Sequence, residues 1–139
     1  MIRKLKKFVN LPYTDKKILL HAFWTLIVIK VSLKIMPFQK VWQHYNKQVD
    51  PRFQETSDEL MVEKIAQAVD RVADNLPNTL CLPRALAVHK LLFERGYHSE
   101  LKIGTTRDTN GAFIAHAWIE KDNKIIIGYL DNLPTFSAF

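Results

Sequence analysis

The stretch Leu80-Cys81-Leu82-Pro83-Arg84-Ala85-Leu86-Ala87 holds the only cysteine of the 139-residue chain. Pro83 suits the first turn of a helix, where its missing N–H is no loss. Ala85 to Glu94 then runs without a breaker, and Gly96 is placed as the residue that closes the helix. The cysteine is therefore expected one or two residues before a helix. A thiol there meets the positive end of the macrodipole and free backbone N–H groups, and both favour the thiolate. Position alone leaves two readings, a nucleophile or a small core hydrophobe. The rest of the chain must supply a base.

The chain is one domain in length, and its hydrophobic fraction of 47% can fill a core. A single cysteine excludes an internal disulfide and a cysteine-rich zinc site, so a cytoplasmic, reducing compartment is expected. The basic start has no signal-peptide layout, because Pro12 and the polar Thr14-Asp15-Lys16-Lys17 run follow it. Residues 1–50 hold ten Lys/Arg against two Asp/Glu, and residues 51–139 hold ten against twelve. This divides the chain into a basic helical segment, 1–50, and a core, 51–139, within one compact unit. The basic half reads as a solvated lysine face or as a surface for an acidic partner or an anionic membrane. No nucleic-acid motif accompanies the charge.

Thr14 is read as an N-cap, opening a helix that Pro37 ends. Ile18 to Met36 is apolar on nearly every side, yet His21, Lys30 and Lys34 interrupt it. The longest run free of charge and histidine, Ala22 to Ile29, is far short of the ~20 residues of a membrane span. A helix covered by the core and by a partner is expected instead. Residues 38–50 give a second short helix with Val41, Trp42 and Tyr45 on one side. Thr56 and Glu59 have capping-box spacing, opening a helix to about Ala73 with a stripe of Met61, Ile65, Val69 and Val72. The cysteine helix follows, burying Leu86, Leu91 and Leu92.

After Gly96 the period changes to two. Leu101 and Ile103 lie in a half-buried strand, Thr105 to Gly111 reads as a polar loop, and Phe113 to Glu120 is a second strand. Asp122-Asn123 is a turn into a third strand, Lys124 to Leu130. Helices first and strands last give an α+β fold with a small antiparallel sheet.

A cysteine nucleophile needs a histidine within reach and a third group to orient the ring. Of the five histidines, His21 reads as core or interface, and His44 and His98 as surface. His89 lies about 12 Å up the cysteine's own helix, out of reach. His116, in Ala115-His116-Ala117-Trp118, sits mid-strand between small residues. It reads as the base or as a buried, satisfied ring. If Asp122-Asn123 is a two-residue turn, Lys121 pairs with Lys124 and His116 faces Tyr129. Asp131 then faces Ile114, on the face of His116 and roughly 7–8 Å away at Cα. A shift of one residue flips Asp131 to the other face. Glu120 ranks second, and Asp131 reads otherwise as an Asx turn. The Cys81 N–H is the natural oxyanion donor. No His or Cys pair has metal-ligand spacing, and no glycine-rich phosphate loop occurs, so no metal or cofactor is expected.

The order helix-borne Cys, strand His, next-strand Asp is that of transglutaminase-like and papain-like folds. Cys81-Leu82-Pro83-Arg84-Ala85-Leu86-Ala87, Leu101-Lys102-Ile103-Gly104, Ala112-Phe113 and His116-Ala117-Trp118-Ile119-Glu120 resemble the leader peptidases of lasso-peptide biosynthesis. Leu11-Pro12, the apolar helix and Met36-Pro37-Phe38 fit the same family. The resemblance implies a cysteine protease that removes the leader from a ribosomally made precursor, after which a partner cyclase closes a macrolactam. It implies Cys81 as nucleophile and His116 as base. The departure is at the acid. Members with a clear triad often carry aspartate twelve residues after the histidine, where this chain has Gly128; Asp131 comes three residues later. Residues 1–50 show no strand pattern for a leader-recognition module, so a separate recognition protein is expected as a partner.

Two rivals share the residues. An acyl transferase of the same fold passes through the same thioester and delivers the acyl group to an amine. A non-catalytic transglutaminase-like module binds a peptide and keeps Cys81 structural. The basic N-terminal half is expected to dock the recognition module or the cyclase, or to form a homodimer; peripheral contact with an anionic membrane is the alternative.

Overall fold

The computed structural model describes residues 13–45, 59–121, 123–128 and 137–138. Among the described residues, four helices are followed by four strands: α1 Tyr13–Ile35, α2 Phe38–Tyr45, α3 Glu59–Asp74, α4 Cys81–Glu94, β1 Glu100–Arg107, β2 Phe113–Lys121, β3 Lys124–Ile127 and β4 Ser137–Ala138. The strands form one antiparallel sheet in the order β3-β2-β1-β4. This is the α+β arrangement expected from helices first and strands last.

The cysteine helix is the centre of the packing. α4 touches α1, α2 and α3 on one side and β1, β2 and β3 on the other. Accordingly it buries nearly every side, with Pro83, Ala85, Leu86, Ala87, Val88, His89, Leu91 and Leu92 all enclosed. Its C-terminus closes as a Schellman motif. Gly96, at φ +79°, donates to the Phe93 carbonyl, and the Tyr97 N–H reaches Leu92 O at 2.9 Å. The α3 stripe is as spaced, with Ile65 and Val69 fully buried and Met61 and Val72 half-buried.

Several boundaries differ from the sequence reading. Cys81 does not precede α4 but is its first residue, with Leu80 as an N-cap that supplies no side-chain cap. Thr14 is not an N-cap, because α1 already includes Tyr13. α3 is described from Glu59, and Thr56 lies outside the described residues. Thr105 to Arg107 is not loop but the end of β1, paired with Phe113, Ile114 and Ala115. The β-branched Thr105 and Thr106 suit a strand, and the Arg107 guanidinium lies 4.3 Å from the Phe113 ring centroid. The loop shrinks to an Asx-type turn in which Asp108 Oδ1 accepts from the N–H groups of Asn110 and Ala112. The final strand, β4, was not anticipated; it pairs with Gly104 and Thr105.

α1 has two apolar faces. Ile18, Ala22, Leu26 and Ile29 are buried in the common core, where α1 packs on α3 and α4. On the other side Leu20, Trp24, Val28, Val31 and Ile35 are exposed. By length and mean hydropathy alone the segment Asp15–Ile35 is apolar enough to cross a membrane, at 1.8. Side-chain by side-chain, however, one face of it belongs to the core. Replacing Leu26, which is fully buried, by Ala is expected to cost about 2–5 kcal/mol of stability, the usual range for such a cavity. Urea unfolding measures this; a loss below about 1 kcal/mol would mean that α1 is not part of the cooperative core.

Candidate active site

Cys81 and His116 line one cavity of about 550 Å³, together with Asp70, Thr79, Leu80, Arg84, Ala117, Ile126, Ile127 and Gly128. The volume is in the range of ligand clefts. Cys81 is half-buried at the first position of α4. With no side-chain cap, the first-turn N–H groups of this helix keep their tendency to bind negative charge.

The turn that leads into Cys81 is held from two directions. From α1, Lys30 Nζ donates to the Pro77 carbonyl and to Thr79 Oγ1, the latter at 3.1 Å. From α4, Arg84 Nε donates to Thr79 O at 3.1 Å. Arg84 Nη1 also meets Asp70 at 3.0 Å and Asp74 at 2.9 Å on α3. Asn78 takes φ 56° in this turn, a conformation that asparagine tolerates better than most residues. The turn leading into Cys81 is thus tied to three helices. Lys30, Thr79 and Arg84 were not singled out from the sequence as positioning residues. A signal did exist for Arg84: Asp70 and Asp74 are four apart on α3, so both carboxylates face one way and want one cation.

On the sheet side, His116 Nε2 lies 2.7 Å from the Gly128 carbonyl oxygen. A carbonyl can only accept, so Nε2 carries the hydrogen. The imidazole also stacks on Trp118, with planes 17° apart and centroids 6.3 Å apart. Glu120, the second-ranked orienting group, is engaged elsewhere: its Oε1 accepts from Trp118 Nε1 at 2.9 Å.

The β2–β3 pairing is not the unbroken one expected from a two-residue turn. Lys121 pairs with Lys124 as expected, and Asn123 takes φ 65° in the turn. Between Ile119 and Glu120 the pairing then shifts, because Glu120 faces Ile125 whereas Ile119 faces Ile127. Ile126 is the extra residue of a bulge. The unbroken pairing that set Tyr129 opposite His116 and Asp131 opposite Ile114 is therefore lost before it reaches them. Asp131 itself lies outside the described residues.

The other histidines are placed away from this cavity. His89 is buried, with Nδ1 2.7 Å from Ser99 Oγ. His21 Nε2 meets Glu94 at 3.2 Å, joining α1 to α4. His44 is exposed beside Tyr45, and the His98 carbonyl accepts from Lys121 Nζ at 3.0 Å.

A family model described as the transglutaminase-like superfamily matches residues 23–139, most of the chain. The chain belongs to the transglutaminase-like superfamily. No curated protein and no solved structure matches it. The superfamily generally includes cysteine proteases, and its chemistry is that of a thiol acting on acyl groups. In this transglutaminase-like chain the match begins inside α1, so the apolar helix belongs to the matched region together with the cysteine helix and the sheet.

Proposed function

We propose that this transglutaminase-like chain is a cysteine endopeptidase that removes the leader from a ribosomally synthesised lasso-peptide precursor before macrolactam closure. The observation that carries the proposal is the shared cavity of Cys81, at the start of α4, and His116, on β2. The paired motifs around those two residues, which resemble the leader peptidases, support the substrate class.

The chemistry follows from the two groups. His116 takes the Cys81 proton, and the sulfur attacks the scissile carbonyl. The developing oxyanion is placed to accept from the Cys81 N–H. The ring then gives its proton to the leaving amine, the new N-terminus of the core peptide. Water hydrolyses the leader thioester and restores the thiol. The free amine is what a cyclase needs for a macrolactam.

The test is incubation of the protein with a precursor and its recognition module, read by mass spectrometry. The expected products are leader and core fragments whose masses together exceed the precursor by one water. A leader joined to an added amine would instead mark an acyl transferase. No conversion, with Cys81 inert to alkylation at neutral pH, would mark a binding module.

The exposed row on α1 is the proposed docking face for the recognition module or the cyclase. Trp24 is 64% exposed and Ile35 74%, and exposed Lys17 and Lys34 lie near the two ends of the row. Apolar anchors with basic ends suit an acidic-rimmed protein partner, and steering by those charges weakens with salt. Trp24→Ser is expected to reduce capture of the module or cyclase at least tenfold, the scale of an aromatic anchor. Pull-down at low and high salt measures it. Clear flotation with anionic liposomes, and no capture of either protein, would replace this docking face with a membrane-facing one.

A further inference from the structure

The β3 bulge has a consequence for the base. Inserting Ile126 brings Gly128, at φ +87°, against β2 just beside His116. The approach is so close that a Cβ at residue 128 would lie 2.7 Å from Ala117 O, 2.9 Å from Trp118 Cβ and 3.0 Å from Trp118 Cα. Neither the backbone nor these inner side-chain atoms can swing aside. Both the left-handed φ and the missing Cβ are therefore requirements of this site. No carboxylate can be carried at this position without moving a strand. What the close approach delivers is the main chain itself, with the Gly128 carbonyl oxygen 2.7 Å from His116 Nε2.

We propose that the Gly128 main-chain carbonyl is a group that orients His116, holding the ring by its Nε2 side. Gly128 is a positioning residue: it touches the ring, not the reacting carbonyl. The proposal rests on the reading of Cys81 and His116 as nucleophile and base, and deepens it. The consequences are chemical. A carbonyl accepts one hydrogen and never takes the proton, so it fixes the neutral ring as the Nε2–H tautomer. The nitrogen that exchanges a proton with the thiol is then Nδ1. The stack on Trp118 restrains the ring plane, and the carbonyl selects the rotation within it. Being neutral, the carbonyl stabilises the imidazolium by hydrogen bonding and its dipole alone, without the attraction of a full charge.

A carbonyl cannot be removed by a side-chain change, so the test alters the backbone. Replacing the Gly128–Tyr129 amide with an ester, by incorporating the α-hydroxy acid of tyrosine, makes the Gly128 carbonyl a poorer acceptor. An ester at Ile127–Gly128 is the control, and Asp131→Asn tests the carboxylate. Two readouts apply. Nitrogen-15 NMR of labelled histidine, with His116 assigned by the signal lost in His116→Gln, reports the tautomer. The rate of Cys81 alkylation by iodoacetamide at neutral pH reports the base. The expected result is an Nε2–H tautomer in the native protein. The 128–129 ester slows alkylation about five- to tenfold, the scale of weakening one hydrogen bond. The control ester stays within about twofold of the native rate, below what losing one hydrogen bond would give. An Nδ1–H tautomer would overturn the proposal. So would a tenfold loss in Asp131→Asn beside a silent 128–129 ester. If native Cys81 reacts no faster than a free thiol, the peptidase reading fails, while the tautomer still decides the role of Gly128.

Discussion

Cys81→Ala is expected to leave a folded protein that cleaves no precursor. In the proposed mechanism the sulfur is the atom that bonds to the scissile carbonyl, and no other described residue lining the cavity replaces it. Asp70 is held by Arg84 at 3.0 Å, and Thr79 Oγ1 points its hydrogen bonds back into its own turn, to Leu76 O at 3.1 Å. Loss of a nucleophile in a cysteine or serine hydrolase costs at least about a thousandfold, and the residual rate reflects binding and oxyanion stabilisation only. The fold should tolerate the change. Cys81 is half-buried at the first position of α4, alanine is a better helix former, and a single sulfur is lost. The measurement is precursor digestion read by mass spectrometry, with circular dichroism as the control for folding. Full cleavage by a folded Cys81→Ala protein would end the peptidase reading.

His116→Ala should lose about a hundred- to ten-thousandfold in cleavage, the range that a positioned general base supplies. Cys81 alkylation should fall with it, because in the proposed mechanism the same ring takes the thiol proton. Combined with Cys81→Ala, the histidine change should add almost nothing, since the two act as one unit. Removing the ring also removes its hydrogen bond to Gly128 O and its stack on Trp118. His116→Gln is therefore the better control for folding, as its amide keeps a donor. Undiminished thiol reactivity in either variant, with the fold intact by circular dichroism, would show that His116 is a structural ring and not a base.

The short-range chemistry of this chain is legible in its residues. Pro37 stops α1, and Gly96 closes α4. Asn123 takes the left-handed turn between β2 and β3, and Leu86, Leu91 and Leu92 mark the buried side of the cysteine helix. Each is a local preference: a ring that cannot continue a helix, a missing Cβ, a side chain that tolerates positive φ, a period of 3.6. The placing of the cysteine on a helix and of His116 on a strand was also readable, because both sit in short motifs of distinctive side chains.

The main-chain contact of His116 with Gly128 was not readable, and the reason is physical. The sequence offered carboxylates, Asp131 and Glu120, because only side chains vary from residue to residue. A main-chain carbonyl is present at every position and carries no signal until the fold aims it. Aiming it took a bulge at Ile126, which moved the register by one residue, and a shift of one turns a strand's faces over. The same holds for Lys30, which reaches from α1 to the turn before Cys81 across 47 residues, and for β4, which joins Gly104 and Thr105 from the far end of the chain. The sequence by itself determined the helices, the first three strands and the two side chains that carry the proposed chemistry. The tertiary structure alone decided how they are held, since contacts between distant segments depend on register and packing that no local preference encodes.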